Sequence, residues 1–282
     1  MHIGIPLFLL RPQRMAAVAA HAEALGFESV WLPEHLVFPP VIRSRYPYAE
    51  DGIAPIRPRT PLLDPFVLLA HVAARTQRIR LGTNVYLPAL RHPIASARMI
   101  VTLDVLSSGR LTLGVGAGWL EEEFAALGVD FASRGARLRE CVRAWRVLWE
   151  QPEPQFSGRF FSFGPVVFEP KPVQRPGPPI LFGGESEAAL RRAAALGDGW
   201  YGVRHTPESV RAQIQRLQRL REEAGRAADP FEITVSSGPL TRAERDAFAA
   251  AGVHRIVVLP WREDREAERA LDTLARELEL AP

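Results

Sequence analysis

The chain has a single cysteine, Cys141, among 282 residues. That excludes an internal disulfide framework and any metal site built on several thiolates, and it suits a reducing cytoplasm. Lysine is equally scarce: Lys171 stands alone, and every other basic side chain apart from histidine is arginine. These arginines are scattered through the expected helices, so the formal charge of +3 speaks for solubility and against a nucleic-acid-binding face. No apolar run is long enough to cross a bilayer. The opening Met1-His2-Ile3-Gly4-Ile5-Pro6 enters a strand at once and carries no signal-peptide pattern. The expectation is a cytoplasmic protein that acts on a small molecule, away from membranes and nucleic acids. Familiar catalytic signatures are missing too. There is no P-loop Lys-Ser/Thr and no dinucleotide-fingerprint spacing, no Gly-x-Ser-x-Gly elbow and no glycosidase carboxylate pair. His35, His92 and His205 stand apart with no shared helical spacing, so no metal site is expected.

What is present centres on Arg110 to Glu123. Leu111 to Val115 reads as a buried strand, and Gly114, Gly116 and Gly118 follow at alternate positions. Glycines at a strand end let another backbone or a ligand approach closely, since no Cβ intervenes. Glu121 to Glu123 then open a helix, where carboxylates suit the positive dipole end. Strand, glycine turn and helix start together resemble a phosphate cradle, although a tight strand-to-helix turn has the same pattern. A second glycine turn, Gly183-Gly184, comes one structural unit later.

Around this stretch strands alternate with helices. Strands are expected at His2 to Phe8, Phe27 to Leu32, Arg78 to Val85, Leu111 to Val115, Ile180 to Gly184, Gly199 to Gly202, Phe231 to Ser236 and His254 to Leu259. Helices are expected between them, among them Arg11 to Leu25 closed by Gly26, a helix capped by Asp64 with Pro65 in first position, Pro93 to Leu106, Arg134 to Glu150 and Arg265 to Leu278. Eight such units argue for a closed (β/α)8 barrel over a doubly wound open sheet. One barrel is expected over residues 1–282, with insertions near 36–63 and 151–179. The first insertion reads as a functional loop or lid, the second as a hairpin made by Arg159 to Phe163 and Val166 to Phe168.

In such barrels chemistry sits at the carboxyl-terminal strand ends. Here those ends carry Glu34-His35, Asn84-Val85, Gly116 to Trp119, Gly183-Gly184, Arg204-His205 and Pro260-Trp261. A neutral, aromatic mouth with two glycine turns suits a flat cofactor with an anionic tail that does the difficult chemistry.

Several long motifs resemble the bacterial-luciferase-like flavin and deazaflavin oxidoreductases. They are Ile79 to Val85, Arg91-His92-Pro93, Leu103 to Leu111, Gly114 to Trp119, Glu169 to Gln174, and Gly183-Gly184 through Ala188 to Arg192 and on to Gly197-Asp198-Gly199-Trp200. The likeness is greatest to the branch that uses coenzyme F420, an 8-hydroxy-5-deazaflavin. It implies a barrel with insertions, a homodimer, and a deazaflavin across the mouth that exchanges a hydride at C5 with a small organic substrate. The alternatives are a luciferase-like monooxygenase using reduced FMN and dioxygen, and a barrel that binds flavin without catalysis.

The same resemblance implies a non-proline cis peptide at Asn84-Val85 backing the ring, with Leu87 nearby. It implies cofactor contacts from Ala117, Gly118 and Glu122, and from Gly183, Gly184, Glu185 and Ser186. Glu34 would reach the cofactor's polar edge. His35 would act on the substrate as acid or base, a role for which histidine is the natural residue type; the alternative is that it caps the strand end. Sugar-phosphate dehydrogenases of the family place a catalytic glutamate where this chain has Trp119. That departure suggests a more apolar pocket, with Phe38, Trp119 and Trp261 as candidate walls; the alternative for each is plain core packing.

Overall fold

The computed structural model describes residues 1–281. Parallel strands β1 (His2–Pro6), β2 (Ser29–Leu32), β3 (Arg80–Thr83) and β4 (Leu111–Val115) lie side by side. A two-stranded antiparallel hairpin, β5 (Phe156–Ser157) with β6 (Ser162–Phe163), stands apart. The parallel sheet continues with β7 (Ile180–Gly183), β8 (Gly199–Val203), β9 (Glu232–Ser237) and β10 (Arg255–Val258), and β10 pairs with β1 to close an eight-stranded barrel. This is the expected (β/α)8 architecture.

Helices cover the barrel outside: α1 (Pro12–Ala24), α2 (Pro65–Ala73), α3 (Pro93–Leu106), α4 (Glu121–Ala126), α5 (Arg134–Glu150), α6 (Glu187–Leu196), α7 (Pro207–Glu223), α8 (Arg242–Ala250) and α9 (Ala267–Glu277). Local chemistry sets their starts. Asp64 accepts from the amides of Phe66 and Val67, Ser186 from Ala189, and Thr206 from Ser209, each satisfying an amide the helix cannot. The strands are buried on both faces, as parallel strands under helices must be. Inside the barrel Trp31, Leu181, Tyr201 and Val257 pack as one cluster, and the Trp31 indole donates to Ser29 Oγ at 2.9 Å. A Cβ on Gly82 would lie 2.3 Å from the Trp31 ring, so glycine there is a packing requirement.

At the amino-terminal end of the barrel, charges are tied off in pairs. Arg255 holds both oxygens of Glu28 at 2.7 Å and also bonds Glu232. Arg110 donates to the carbonyls of Ala73 and Thr76 at 3.1 Å, closing the end of α2. The buried Asp104 accepts from the Val173 and Gln174 amides. Lys171 Nζ donates to the carbonyls of Leu148, at 2.9 Å, and Gln151, at the end of α5.

One expected element is corrected. Val166 to Phe168 forms no strand; Phe163 and Ser162 pair instead with Phe156 and Ser157. Phe168 is drawn inward, buried under the guanidinium of Arg98 at 4.2 Å, and that packing takes it away from any ladder. The 33–64 segment contains no helix or strand.

Candidate active site

The carboxyl-terminal strand ends enclose a cavity of about 890 Å³. Glu34 and His35 enter it after β2, and Asn84, Val85 and Leu87 after β3. Ala117, Gly118 and Trp119 contribute from the turn after β4, and Gly183, Gly184, Glu185 and Ser186 from the turn after β7. The Asn84–Val85 peptide is cis. The glycines themselves serve a more specific purpose than open space. A Cβ on Gly114 would lie 2.0 Å from the Thr83 carbonyl oxygen, and one on Gly116 would lie 2.4 Å from Val85 Cγ2. The room is taken by the end of β3, so Val85 stands between the two glycine turns. Gly118 and Gly184 have φ of +88° and +116°, a region that favours glycine.

The adjacent glutamate and histidine after β2 separate. Glu34 turns away from His35 into a buried pair with Arg91, Oε1 to Nη2 2.6 Å, and accepts from the Leu87 amide at 2.7 Å. Burial pushes its carboxyl up to about 7, against the opposing charge of Arg91. His35 instead places Nδ1 2.8 Å from Glu123, whose side chain is fully buried. Its ring packs against Phe38, centroids 4.7 Å apart, and edge-on to Trp119 at 5.7 Å. Tyr46 meets Trp119 at 5.1 Å and Tyr48 at 5.3 Å, which makes this side of the cavity aromatic.

The lining also carries cations. Arg134, beside the first glycine turn, and Arg192, on the helix that follows the second, line the cavity, and neither is paired with a carboxylate among the described residues. Arg134 donates only to the carbonyls of Gly118, at 3.2 Å, and Phe131, at 2.9 Å. Arg192 Nε is buried without a partner. Burial, reinforced by Arg139 and Arg134, lowers the Arg192 pKa. An anion would relieve all three effects, and the first turns of α5 and α6 add positive dipole ends. Asn84 Oδ1 is a further buried acceptor with no donor, while its Nδ2 reaches the Tyr201 hydroxyl at 3.3 Å. An orphaned acceptor and an uncompensated guanidinium in the lining of one cavity fit a flat cofactor with an anionic tail.

Three expected contacts lie elsewhere. Glu122 does not line the cavity; it accepts from the amides of Arg43, at 2.6 Å, and Ser44, at 3.0 Å, and from the Ser44 hydroxyl at 2.5 Å. Burial would raise its carboxyl, but those bonds outweigh this and bring it down to about 2. Glu122 therefore fastens the 33–64 segment across the mouth, and Ser44, Tyr46, Tyr48 and Ile56 of that segment roof the cavity. Trp261 is buried outside the cavity, its indole donating to the Phe8 carbonyl at 3.1 Å. Phe38 lies behind His35 and does not reach the lining. Sequence reasoning missed Glu123, Arg134, Arg192 and the tyrosine pair; the absence of an acidic partner for either arginine becomes visible only once distant segments are brought together.

The chain belongs to the luciferase-like monooxygenase family, whose profile matches residues 7–280. An uncharacterized protein of Mycobacterium tuberculosis is 36% identical over 283 residues, 99% of each chain. An F420-dependent glucose-6-phosphate dehydrogenase of Kineococcus radiotolerans is 34% identical over 194 residues, 67% of this chain and 52% of its own. An FMNH(2)-dependent dimethylsulfone monooxygenase of Pseudomonas putida is 31% identical over 156 residues, 54% of this chain and 43% of its own. Among solved structures, a monooxygenase from Streptomyces bottropensis superposes with a TM-score of 0.76 at 26% identity over 99% of both chains. The protein is thus a flavin- or deazaflavin-dependent oxidoreductase of the luciferase-like type.

Proposed function

We propose that this luciferase-like oxidoreductase uses coenzyme F420 and exchanges a hydride with a small, largely apolar organic substrate. The observation that carries the reading is His35. It is the one imidazole lining the cavity, it sits on the aromatic side against Trp119, and its Nε2 has no partner among the described residues. Hydride exchange at a carbonyl or alcohol carbon leaves a proton to be moved at the neighbouring oxygen, and a positioned imidazole does this well near neutral pH. The bound deazaflavin supplies the hydride-exchanging carbon. Around it, Arg134 and Arg192 would hold the anionic tail, Asn84 Oδ1 would accept from the ring's polar edge, and Val85 would support one face. Tyr46, Tyr48 and Trp119 would exclude water from the substrate, with the Glu122–Ser44 contact keeping the roof in place.

A monooxygenase using reduced FMN is the second reading, favoured by the full-length match to the Streptomyces monooxygenase. Side-by-side titrations of the protein with F420 and FMN, by fluorescence quenching at fixed salt, separate the two. Micromolar or tighter binding of F420 with weak FMN binding is expected. The reverse preference would move the assignment to the monooxygenase and make oxygen uptake the next assay, and binding of neither would remove both.

A further inference from the structure

Three glutamates in succession open α4, and the fold uses each differently. Glu121 is exposed at the rim, Glu122 fastens the roof, and Glu123 is buried against the end of β2. The two oxygens of Glu123 have distinct partners. Oε1 accepts from the amide of Leu36 at 2.5 Å and, more distantly, from that of Val37 at 3.4 Å. Oε2 lies 2.8 Å from His35 Nδ1. Backbone amides can only donate, so whichever oxygen faces Leu36 is committed as an acceptor and the other faces His35.

We propose that Glu123 is the positioning residue of the site: it fixes His35 as the Nδ1–H tautomer and so presents Nε2 to the cavity as a bare proton acceptor. The inference rests on the reading of His35 as the group that moves the substrate's proton. An unprotonated carboxylate accepts and never donates, so a neutral His35 must place its one proton on Nδ1. Nε2 then carries the free lone pair, on the aromatic side of the cavity, where no protein group competes for it among the described residues. When Nε2 takes a proton from a substrate hydroxyl, the O–H bond breaks and an N–H bond forms. The resulting imidazolium faces a buried carboxylate that needs no rearrangement to receive it. In the reverse direction the same Nε2–H returns the proton to a substrate oxygen. Glu34, although next to His35 in the chain, is held by Arg91 and Leu87 and takes no part in this bond.

The substitution Glu123→Gln reverses the geometry in a way a simple anchoring role would not. Leu36 still demands an acceptor, so the glutamine carbonyl must take the Oε1 place. Its amide NH2 then faces Nδ1 as a donor, which forces the His35 proton onto Nε2. The test is a two-bond proton–nitrogen correlation spectrum of the whole chain, labelled with 15N-histidine and free of cofactor, at about pH 8.5, above the ordinary imidazole range. His35 is assigned by the peaks that vanish in His35→Gln. The expected wild-type pattern has Nδ1 protonated and Nε2 bare; Glu123→Gln is expected to invert it and to lower kcat by about 10²-fold with little change in cofactor affinity. A wild-type His35 protonated at Nε2, or an unchanged pattern in Glu123→Gln, would overturn the proposal. The wild-type spectrum decides even if the variant fails to fold. Because no cofactor is present, loss of the F420 assignment would leave this result standing, and the converse also holds.

Discussion

The two ends of the barrel treat charge in opposite ways. At the amino-terminal end Arg255 is matched to Glu28 and Glu232, Asp104 to the Val173 and Gln174 amides, and Lys171 and Arg110 to helix-end carbonyls. At the carboxyl-terminal end Arg134 and Arg192 have no carboxylate, and Arg192 Nε and Asn84 Oδ1 have no partner at all. A buried polar group without a partner costs free energy; Trp149 Nε1 and Arg221 Nη1 are such groups away from the mouth, but those of Arg192 and Asn84 belong to residues that line the cavity, where a ligand can complete them. At the cavity wall, unpaired charge is binding capacity.

The largest effect is expected at the paired end. Arg255→Met strips Glu232 of its ion pair and leaves Glu28 with only the more distant Arg80, 4.0 Å away, and is expected to cost about 3–5 kcal/mol. Urea unfolding checks it, and the folded fraction should bind cofactor as the wild type does. At the mouth, Gly116→Ala drives a methyl group toward Val85 and is expected to cost about 1–3 kcal/mol, with cofactor binding lost as Val85 shifts; thermal unfolding and the quenching titration read the two effects. Glu34 sharpens the contrast through pH. Its carboxyl titrates at about 7 in the folded protein against an ordinary 4.5, so the fold retains a proton that the unfolded chain gives up. That contribution is complete below about 4.5 and is lost as pH rises through about 7. Melting temperatures measured from pH 4.5 to 8 should show this loss in the wild type and not in Glu34→Gln, which carries no titrating group there. The smallest effect is expected from Ser44→Ala, which removes the hydroxyl that donates to Glu122 and accepts from the exposed Glu121 amide, about 0.5–1.5 kcal/mol. It should speed limited proteolysis of the roof segment and leave global unfolding almost unchanged.

The same division explains what could be read from the sequence. α3, α5 and β4 fall where periodicity and flanking residues put them, because signals such as the proline that opens α3 and the apolar stripe of α5 act locally. The glycine turns marked the cavity for the same reason. Which of three consecutive glutamates would face His35 was not legible: successive helix positions differ by about 100°, and only the path of the 33–64 segment decides which one turns inward. The missing partners of Arg134 and Arg192 are a property of the assembled mouth and leave no trace in either residue's neighbourhood. Trp261 was misassigned because an aromatic residue after a strand can turn into the cavity or behind it, and the Phe8 carbonyl holds it behind. The choice between cofactors stayed open for a related reason. Asp104, Arg110, Lys171, Gln174 and Asp198, which carry much of the family resemblance, hold the chain together at the closed end. They report the fold and say nothing of what lies in the mouth.

The most direct test of the account measures stability and cofactor affinity together in Arg192→Met. If Arg192 is unpaired because it waits for an anion, removing it should leave the unfolding free energy within about 1 kcal/mol of the wild type or raise it. The Kd for the cofactor that the wild type binds should then rise about 10- to 100-fold, the worth of a hydrogen bond to a charged group. Loss of stability with an unchanged Kd would contradict the account, because it would make Arg192 part of the architecture and leave the mouth without its anion site.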